Sequence, residues 1–277
     1  MHIRDPKARA RDPTKIIEVP CGQCVACLTN RRTDWTIRLL EEFKANNEKA
    51  IFLTLTYNEE YIPFNQNSIA SVIKSDIQYF IKRLRKQIDT KIRYYVVGEY
   101  GTKTYRPHYH AIIFNLDSSY LNAIEKAWID TTTGDRLGNV HLGTVTIKSL
   151  SYVTKYHVNK GRYPHLANPP FTLMSRKPGI GYGYVEKYKK FHQGNLENAY
   201  YPDYEKKKRL PRYYKNKLYS DDERYKLASS LETGIDLKEY EDFKKKYPNS
   251  SYFQYRVQQI ENYENTYKEK SNFNNKI

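Results

Sequence analysis

The feature that most constrains the fold is a change of hydrophobic period, from two residues to about 3.6, between two neighbouring segments. Residues 50–57 predict a strand because one face carries apolar side chains: Ile51, Leu53, Leu55 and Tyr57. Residues 75–88 predict a helix with Ser75 as its N-cap, because the apolar side chains form one helical stripe: Ile77, Phe80, Ile81, Leu84 and Ile88. Both kinds of element therefore occur within one stretch of chain.

The remaining periodic segments complete a βαββαβα order behind one initial helix. Residues 91–99 and 107–114 predict two strands, and the loop between them is short enough for a hairpin. The other expected elements are helices at 28–45, 120–129 and 149–158 and a strand at 140–147. This order predicts an α+β fold, with an antiparallel central sheet and helices packed on it.

Composition divides the chain into four parts. Residues 1–20 are expected to form an extended basic arm, and residues 21–160 a folded domain. Residues 161–215 form a basic extension rich in Tyr, Gly and Pro, and residues 216–277 a polar helical, partly disordered tail.

The charge and the tyrosine content indicate a polyanionic partner. The chain carries 47 Lys and Arg against 31 Asp and Glu, a formal net charge of +16, together with 28 tyrosines. Phosphates attract such a charge and tyrosine rings stack on exposed bases; the alternative is that both features only solubilise a chain with few apolar residues. The sequence has no apolar run of membrane-span length and no signal-peptide core, and its three cysteines cannot form a closed disulfide framework. We therefore expect a reducing cytosol and no membrane.

The segment His108-Tyr109-His110 contains the candidate metal ligands. On a strand, both imidazoles lie on one face and Tyr109 lies on the other. If Glu99 pairs with His108 across the predicted hairpin, its carboxylate joins them, whereas a register slip of one residue turns it away. Two imidazoles and a carboxylate with open coordination positions suit a catalytic divalent ion.

Residues 149–158 carry a candidate pair of nucleophiles, Tyr152 and Tyr156. Four residues apart on a helix, these side chains share one face. Lys155 follows Tyr152 by three residues and Lys160 follows Tyr156 by four, so each phenol has a cation in reach, and Lys155 is a candidate catalytic residue. A cation and a nearby metal could offset the roughly 4 kcal/mol needed to ionise a phenol at neutral pH. The alternative is a tyrosine pair packed on the sheet.

Four motifs, taken in order, resemble those of the HUH endonucleases. They are Phe52–Asn58, Gly98–Gly101, Arg106–Phe114 and Tyr152–Tyr156. The chain is most similar to the two-tyrosine rolling-circle replication initiators of small single-stranded-DNA phages, the gokushovirus-type microviruses. The resemblance covers residues 18–215, including Cys21-Gly-Gln-Cys24 and residues 175–181, and departs from the family pattern at Tyr109, where an aliphatic residue is usual.

The resemblance implies a fold, a reaction and partners. It implies an RRM/ferredoxin-like domain in which His108, His110 and Glu99 hold Mg²⁺ or Mn²⁺. Tyr152 or Tyr156 would then nick a single-stranded viral origin, leaving a 5′-phosphotyrosine and a free 3′-OH. A host helicase and a host polymerase would continue replication in the host cell cytoplasm. The competing hypothesis is a non-catalytic single-strand-binding protein in which the histidines are structural.

Cys21, Cys24 and Cys27 form a CxxCxxC pattern at the start of the first predicted helix. Three thiolates at this spacing could bind zinc or a metal cluster. A tetrahedral zinc site needs a fourth ligand, and neither a second CxxC nor a histidine at finger spacing follows. The alternative is a set of reduced, partly buried thiols.

Residues 175–181 place Arg176 and Lys177 beside glycines, where backbone N–H groups could approach a phosphate. The segment lacks the trailing Lys-Ser/Thr of a P-loop, so nucleotide hydrolysis is not predicted. Together with Arg106 and Lys160, these two cations are the candidate DNA-binding residues.

Overall fold

The computed structural model divides the chain into two units. It describes residues 2–3, 17–18, 21–155, 163–203, 206–224, 226–227, 242–250, 254–255, 258–259, 261–263 and 265–266. The sheet unit comprises Asn30–Lys190 and Pro211–Tyr214, and the second unit comprises Met1–Thr29, Phe191–Leu210 and Lys215–Ile277. The candidate histidines belong to the sheet unit and the cysteines to the second unit.

Strands and helices alternate along most of the described chain. The strands are β1 (His2–Ile3), β2 (Ile17–Glu18), β3 (Ala50–Thr56), β4 (Arg93–Tyr100), β5 (Pro107–Phe114), β6 (Val140–Thr144), β7 (Phe171–Met174), β8 (Tyr200–Asp203) and β9 (Lys206–Arg209). The α-helices are α1 (Val25–Ala45), α2 (Lys74–Gln87), α3 (Leu121–Ala127), α4 (Ile147–Thr154), α5 (Tyr182–Gly194) and α6 (Arg212–Leu218). None of the helices in the described part of the chain has both the length and the apolar character of a membrane span.

Five strands form one antiparallel sheet in the order β6-β3-β5-β4-β7, which confirms the predicted α+β fold. Helices cover both faces: α2 and α3 contribute to one apolar cluster on the sheet, and α1 and α4 contribute to a second cluster. In β5, Tyr109 belongs to the first cluster and Ile112 to the second. Because His108 and His110 alternate in phase with Ile112, both imidazoles lie on the α1 and α4 side.

A buried tyrosine, rather than a local cap, marks the start of α2. The prediction of Ser75 as N-cap is wrong, because the helix begins at Lys74 and Ile73 precedes it without a side-chain cap. The Tyr109 hydroxyl accepts from the Ile73 N–H at 2.8 Å and donates to the Ile73 carbonyl at 3.1 Å. A side chain from the middle of the sheet thus holds the first turn of the helix.

β7 is a strand that the sequence pattern did not predict. It pairs with β4 and forms one edge of the sheet. The strand has only four residues and lies between Pro170 and Pro178, so its alternation is too short to be recognised from the sequence. The sheet therefore continues past Lys160, where the folded domain was expected to end, and the four-part division of the chain stays a prediction.

Residues 175–181 pack on α1 through a buried carboxylate. The Gly181 N–H donates to Glu42 at 2.7 Å, and Gly181 has a φ of +77°. Arg93 donates from Nε to the same carboxylate and from Nη2 to the Pro178 carbonyl at 2.9 Å. Glu42, which is 4% exposed, therefore joins α1, β4 and this segment, and the Gly181 N–H is already used within the protein.

Removal of the Glu42 charge is expected to destabilise the protein. Glu42→Gln leaves the largely buried Arg93 guanidinium without its carboxylate, and breaking a buried pair from one side costs about 3–5 kcal/mol. Chemical denaturation followed by circular dichroism measures this loss. As a control, Glu125→Gln removes the partner of the exposed Arg136 and should cost less than about 1 kcal/mol. Equal stabilities of Glu42→Gln and the wild type would contradict the role given to this pair.

Candidate metal and nucleophile site

Glu99, His108 and His110 converge at one end of the β4–β5 hairpin. Glu99 pairs with His108 and Val97 pairs with His110, which confirms the register expected from the loop length. Because directly paired residues share a face, the carboxylate stands beside both imidazoles. The ligand atoms of these three side chains all lie within 4.8 Å of one another. We call this group the Glu99 cluster.

Hydrogen bonds at Nδ1 orient both imidazoles of the Glu99 cluster. Thr54 Oγ1 lies 3.0 Å from His110 Nδ1, and the Arg106 carbonyl lies 3.1 Å from His108 Nδ1. The Nε2 atoms both approach Glu99 Oε1, at 3.0 Å from His108 and 2.9 Å from His110. Outer contacts of this kind fix the orientation of histidine ligands, so the donor set fits a divalent ion bound by two nitrogens and one carboxylate oxygen.

Burial and the two imidazoles act in opposite directions on the charge of Glu99. Burial alone would raise the pKa of this carboxyl, but hydrogen bonds with His108 and His110 outweigh it and hold the pKa below its usual range. Burial would lower the pKa of His108, but the Glu99 carboxylate and the Arg106 carbonyl raise it overall. The cluster therefore keeps a negative carboxylate inside the protein, and an ion that binds there displaces protons from imidazole.

The Tyr152 hydroxyl lies next to the Glu99 cluster. Its Oη is 3.4 Å from His110 Nε2, and the two rings meet edge to face with centroids 5.2 Å apart. Burial, followed by the charge of Glu99, raises the pKa of Tyr152 to about 12. The phenol is therefore neutral at pH 7, and a nearby cation is needed to make it a strong nucleophile.

A capping box sets the start of α4, the helix that carries Tyr152. The Ser149 N–H donates to Thr146 Oγ1 at 3.2 Å, and the Thr146 N–H donates to Ser149 Oγ at 2.7 Å. The helix therefore begins at Ile147 and not at Ser149, where the sequence pattern placed its start.

Two polar contacts from α1 hold α4 in place around Tyr152. Arg32 Nη2 donates to the Ser151 carbonyl at 3.2 Å and to Ser151 Oγ at 2.8 Å. Thr36 Oγ1 lies 2.8 Å from Thr154 Oγ1. These contacts lie on either side of Tyr152 in the sequence and so limit how far its helix can rotate or slide.

Sequence reasoning missed Thr54, Arg32 and Thr36. Thr54 lies directly opposite His110 in the β3–β5 ladder, so pairing these two strands would have identified it. Arg32 and Thr36 contact residues 119 and 118 positions away in the chain, and no local pattern marks such contacts.

Three other predicted residues belong to or follow α4. Lys155 lies at the C-terminal end of the helix, where its backbone N–H donates to the Tyr152 carbonyl. Tyr156 and Lys160 lie outside the described residues. The proposed pair of nucleophiles is therefore described at one of its two positions.

The predicted DNA-binding cations of the described chain lie in two separate places. Arg106 forms an ion pair with Glu59 and donates to the Tyr57 carbonyl at 2.8 Å, so its side chain braces the loop after β3. Arg176 and Lys177 are exposed and line an open groove of about 860 Å³ at the end of β4 opposite to the Glu99 cluster.

The cysteines form a second group of candidate metal ligands, in the second unit. Cys21, Cys24 and Cys27 are free thiols, and their sulfur atoms all lie within 4.8 Å of one another. Among the residues that the structure describes, no fourth cysteine, histidine or carboxylate joins this group. The spacing of the motif thus does bring the three thiols together.

Known proteins similar to this chain share one description. Residues 50–161 match a family model described as replication-associated protein ORF2. The chain is 34% identical over 185 residues to the replication-associated protein ORF2 of Spiroplasma virus 4, covering 60% of this chain and 56% of that protein. It is 30% identical over 200 residues to the replication-associated protein VP4 of Bdellovibrio phage phiMH2K, covering 65% of this chain and 61% of that protein.

A third relative matches over a shorter stretch. The replication-associated protein ORF4 of Chlamydia phage 1 is 35% identical over 101 residues, which are 35% of this chain and 24% of that protein. The chain thus covers less than two thirds of the length of each of these relatives. No solved structure matches the chain.

Proposed function

This chain belongs to the family of microvirus replication-associated proteins, and from that premise we propose that it nicks the viral origin to start rolling-circle replication. The proposed reaction transfers a phosphoryl group from DNA to a tyrosine. It leaves the 5′ end of the DNA joined to the protein and a free 3′-OH that a polymerase can extend. The substrate is single-stranded DNA with the sequence of the origin, and the net charge of +16 favours its binding.

The observation that carries the proposal is the short distance between a phenol and the Glu99 cluster. Tyr152 Oη lies 3.4 Å from His110 Nε2, on the open side of a set of three ligand atoms. A nucleophile and a metal-ligand set this close together can act on the same phosphate.

Glu99, His108 and His110 would hold Mg²⁺ or Mn²⁺. A bound ion of this kind polarises the scissile phosphate and stabilises charge on its oxygens. The protein contributes a preformed arrangement of ligands, because Thr54 and the Arg106 carbonyl already orient the two imidazoles. Little rearrangement of the side chains is then needed for binding.

Tyr152 is the proposed nucleophile. Its Oη forms a bond to phosphorus while the bond from phosphorus to the 3′ oxygen breaks; the phenol loses its proton to solvent, and the 3′ oxygen gains one. Because the phosphotyrosine keeps the energy of the broken ester bond, a 3′-OH can reverse the step and rejoin the strand without a nucleotide cofactor. Tyr156 is proposed to attack the regenerated origin after one round and release a unit-length circle.

The remaining proposed contacts are with the charges of the reaction and with the host. Lys155 is proposed to offset negative charge on the phenol, while Arg106, Lys160, Arg176 and Lys177 are proposed to contact the DNA backbone. A host helicase and a host polymerase would unwind and extend the nicked strand in the host cytoplasm.

Incubation with the circular single-stranded DNA of the encoding phage and Mn²⁺ tests the proposed function. We expect a covalent adduct at one site, with the 5′ end of the DNA attached to the protein, and sequencing of that end identifies the origin. A reaction with chelated Mn²⁺ and a circle of unrelated sequence are the controls, and neither should give the adduct. Binding of the phage circle without a nick, in Mn²⁺ and in Mg²⁺, would contradict the proposal and support a non-catalytic single-strand-binding protein.

A further inference from the structure

Three cysteines of the second unit form a compact group that the proposed nicking reaction does not use. Cys21 Sγ lies 3.9 Å from Cys27 Sγ, and Cys24 Sγ completes a set of sulfur atoms within 4.8 Å of one another. A zinc ion with Zn–S bonds of about 2.3 Å holds its sulfurs about 3.8 Å apart at tetrahedral angles. The observed spacing fits ligands of one ion, whereas the sulfurs of a disulfide are about 2.05 Å apart.

The turn before α1 directs backbone N–H groups at one of these sulfurs. Gly22 has a φ of +72°, the left-handed conformation that glycine adopts readily. The N–H groups of Gln23 and Cys24 donate to Cys21 Sγ at 3.5 Å and 3.2 Å. α1 begins at Val25, earlier than its predicted start, so Cys24 directly precedes the positive end of a 21-residue helix. Both arrangements stabilise sulfur in its anionic form.

The charges of the three sulfurs oppose one another unless a cation is present. The N–H groups of Gln23 and Cys24 lower the pKa of Cys21 to about 7. At Cys24 the Cys27 N–H lowers the pKa, but burial and the thiols of Cys21 and Cys27 outweigh it, so the pKa is raised. One thiolate therefore forms readily and the next is disfavoured, and a bound cation removes this disadvantage.

We propose that Cys21, Cys24 and Cys27 bind one Zn²⁺ as three thiolate ligands. Sulfur donors select zinc over Mg²⁺ and Mn²⁺, which prefer oxygen and suit the Glu99 cluster instead. Three of the four tetrahedral positions are thereby assigned to described residues. The protein then holds two different metals, and the zinc site can be tested without DNA.

Metal analysis of the full-length protein tests the zinc site. After a chelator has removed loosely bound ions, the protein should retain roughly one zinc per chain, and Co²⁺ in its place should give sulfur-to-metal charge-transfer absorption. Cys24→Ser and Cys27→Ser should each lower zinc affinity by at least about tenfold, since each removes one ligand. Gln23→Ala changes a side chain of the same turn, keeps all three sulfurs and should bind zinc like the wild type.

Thiol alkylation followed by mass spectrometry gives a second readout that does not depend on the folding of a variant. In the zinc-loaded wild type, all three cysteines should react slowly until the zinc is chelated under denaturing conditions. Rapid alkylation of the three thiols in folded, zinc-saturated protein would overturn the proposal, as would iron with acid-labile sulfide in place of zinc or a Cys21–Cys27 disulfide. Because none of these measurements uses DNA, their failure is distinguishable from a failure of the nicking reaction.

Discussion

Replacement of both Tyr152 and Tyr156 by phenylalanine is expected to abolish the covalent protein–DNA adduct while leaving DNA binding intact. Phenylalanine lacks the oxygen that joins phosphorus, and loss of a nucleophile slows such reactions by about a thousandfold or more. The rings and the net charge are unchanged, so the affinity for an origin oligonucleotide should change by less than about twofold. A denaturing gel with labelled DNA measures the adduct, and fluorescence anisotropy measures binding.

Single variants and a matched control sharpen this test. Tyr152→Phe alone should lose the first nick, because Tyr152 Oη lies 3.4 Å from His110 Nε2. Tyr79 is 53% exposed on α2, which packs on the sheet face opposite to the histidines, so Tyr79→Phe should form the adduct at the wild-type rate. An adduct that persists in the double variant would mean that another residue is the nucleophile.

The arrangement of the Glu99 cluster could be predicted because strand geometry has a period of two. Once residues 91–99 and 107–114 are identified as strands, the short loop between them favours the register that pairs Glu99 with His108. His110 follows on the same face by alternation. Each step needs only neighbouring residues, and the apolar stripe of α2 was found by the same kind of local argument.

The groups that support the cluster could not be predicted in this way, because they join distant parts of the chain. Thr54 reaches His110 from β3, Arg32 reaches α4 from α1, and Tyr109 sets the start of α2. Each contact depends on which strand or helix lies next to which, and hydrophobic periodicity does not contain that information. β7 was missed for another reason, since four residues give too few repeats to distinguish a strand from a loop.

Loss of His110 is expected to abolish divalent-ion binding at the Glu99 cluster. His110→Ala removes one of three ligand atoms and the imidazole that contacts Tyr152 Oη. In wild-type protein, Mn²⁺ at 100 times its dissociation constant should raise the free energy of unfolding by about 2.7 kcal/mol. His110→Ala should show no such Mn²⁺-dependent increase in chemical denaturation, and its adduct should form about a thousandfold or more slowly.

Thr54→Val distinguishes a metal ligand from a group that orients one. Thr54 Oγ1 contacts His110 Nδ1, and loss of such an outer contact weakens metal binding by about 10–100-fold. At the same Mn²⁺ concentration, the stabilisation should therefore fall to about 0.4–1.4 kcal/mol and not to zero. Excess Mn²⁺ should restore adduct formation in Thr54→Val but not in His110→Ala, and His165→Ala, at an exposed position outside the cluster, should match the wild type. Equal stabilisation of the wild type and His110→Ala would mean that the ion binds elsewhere, and Tyr152 would then lack the cation that its raised pKa requires.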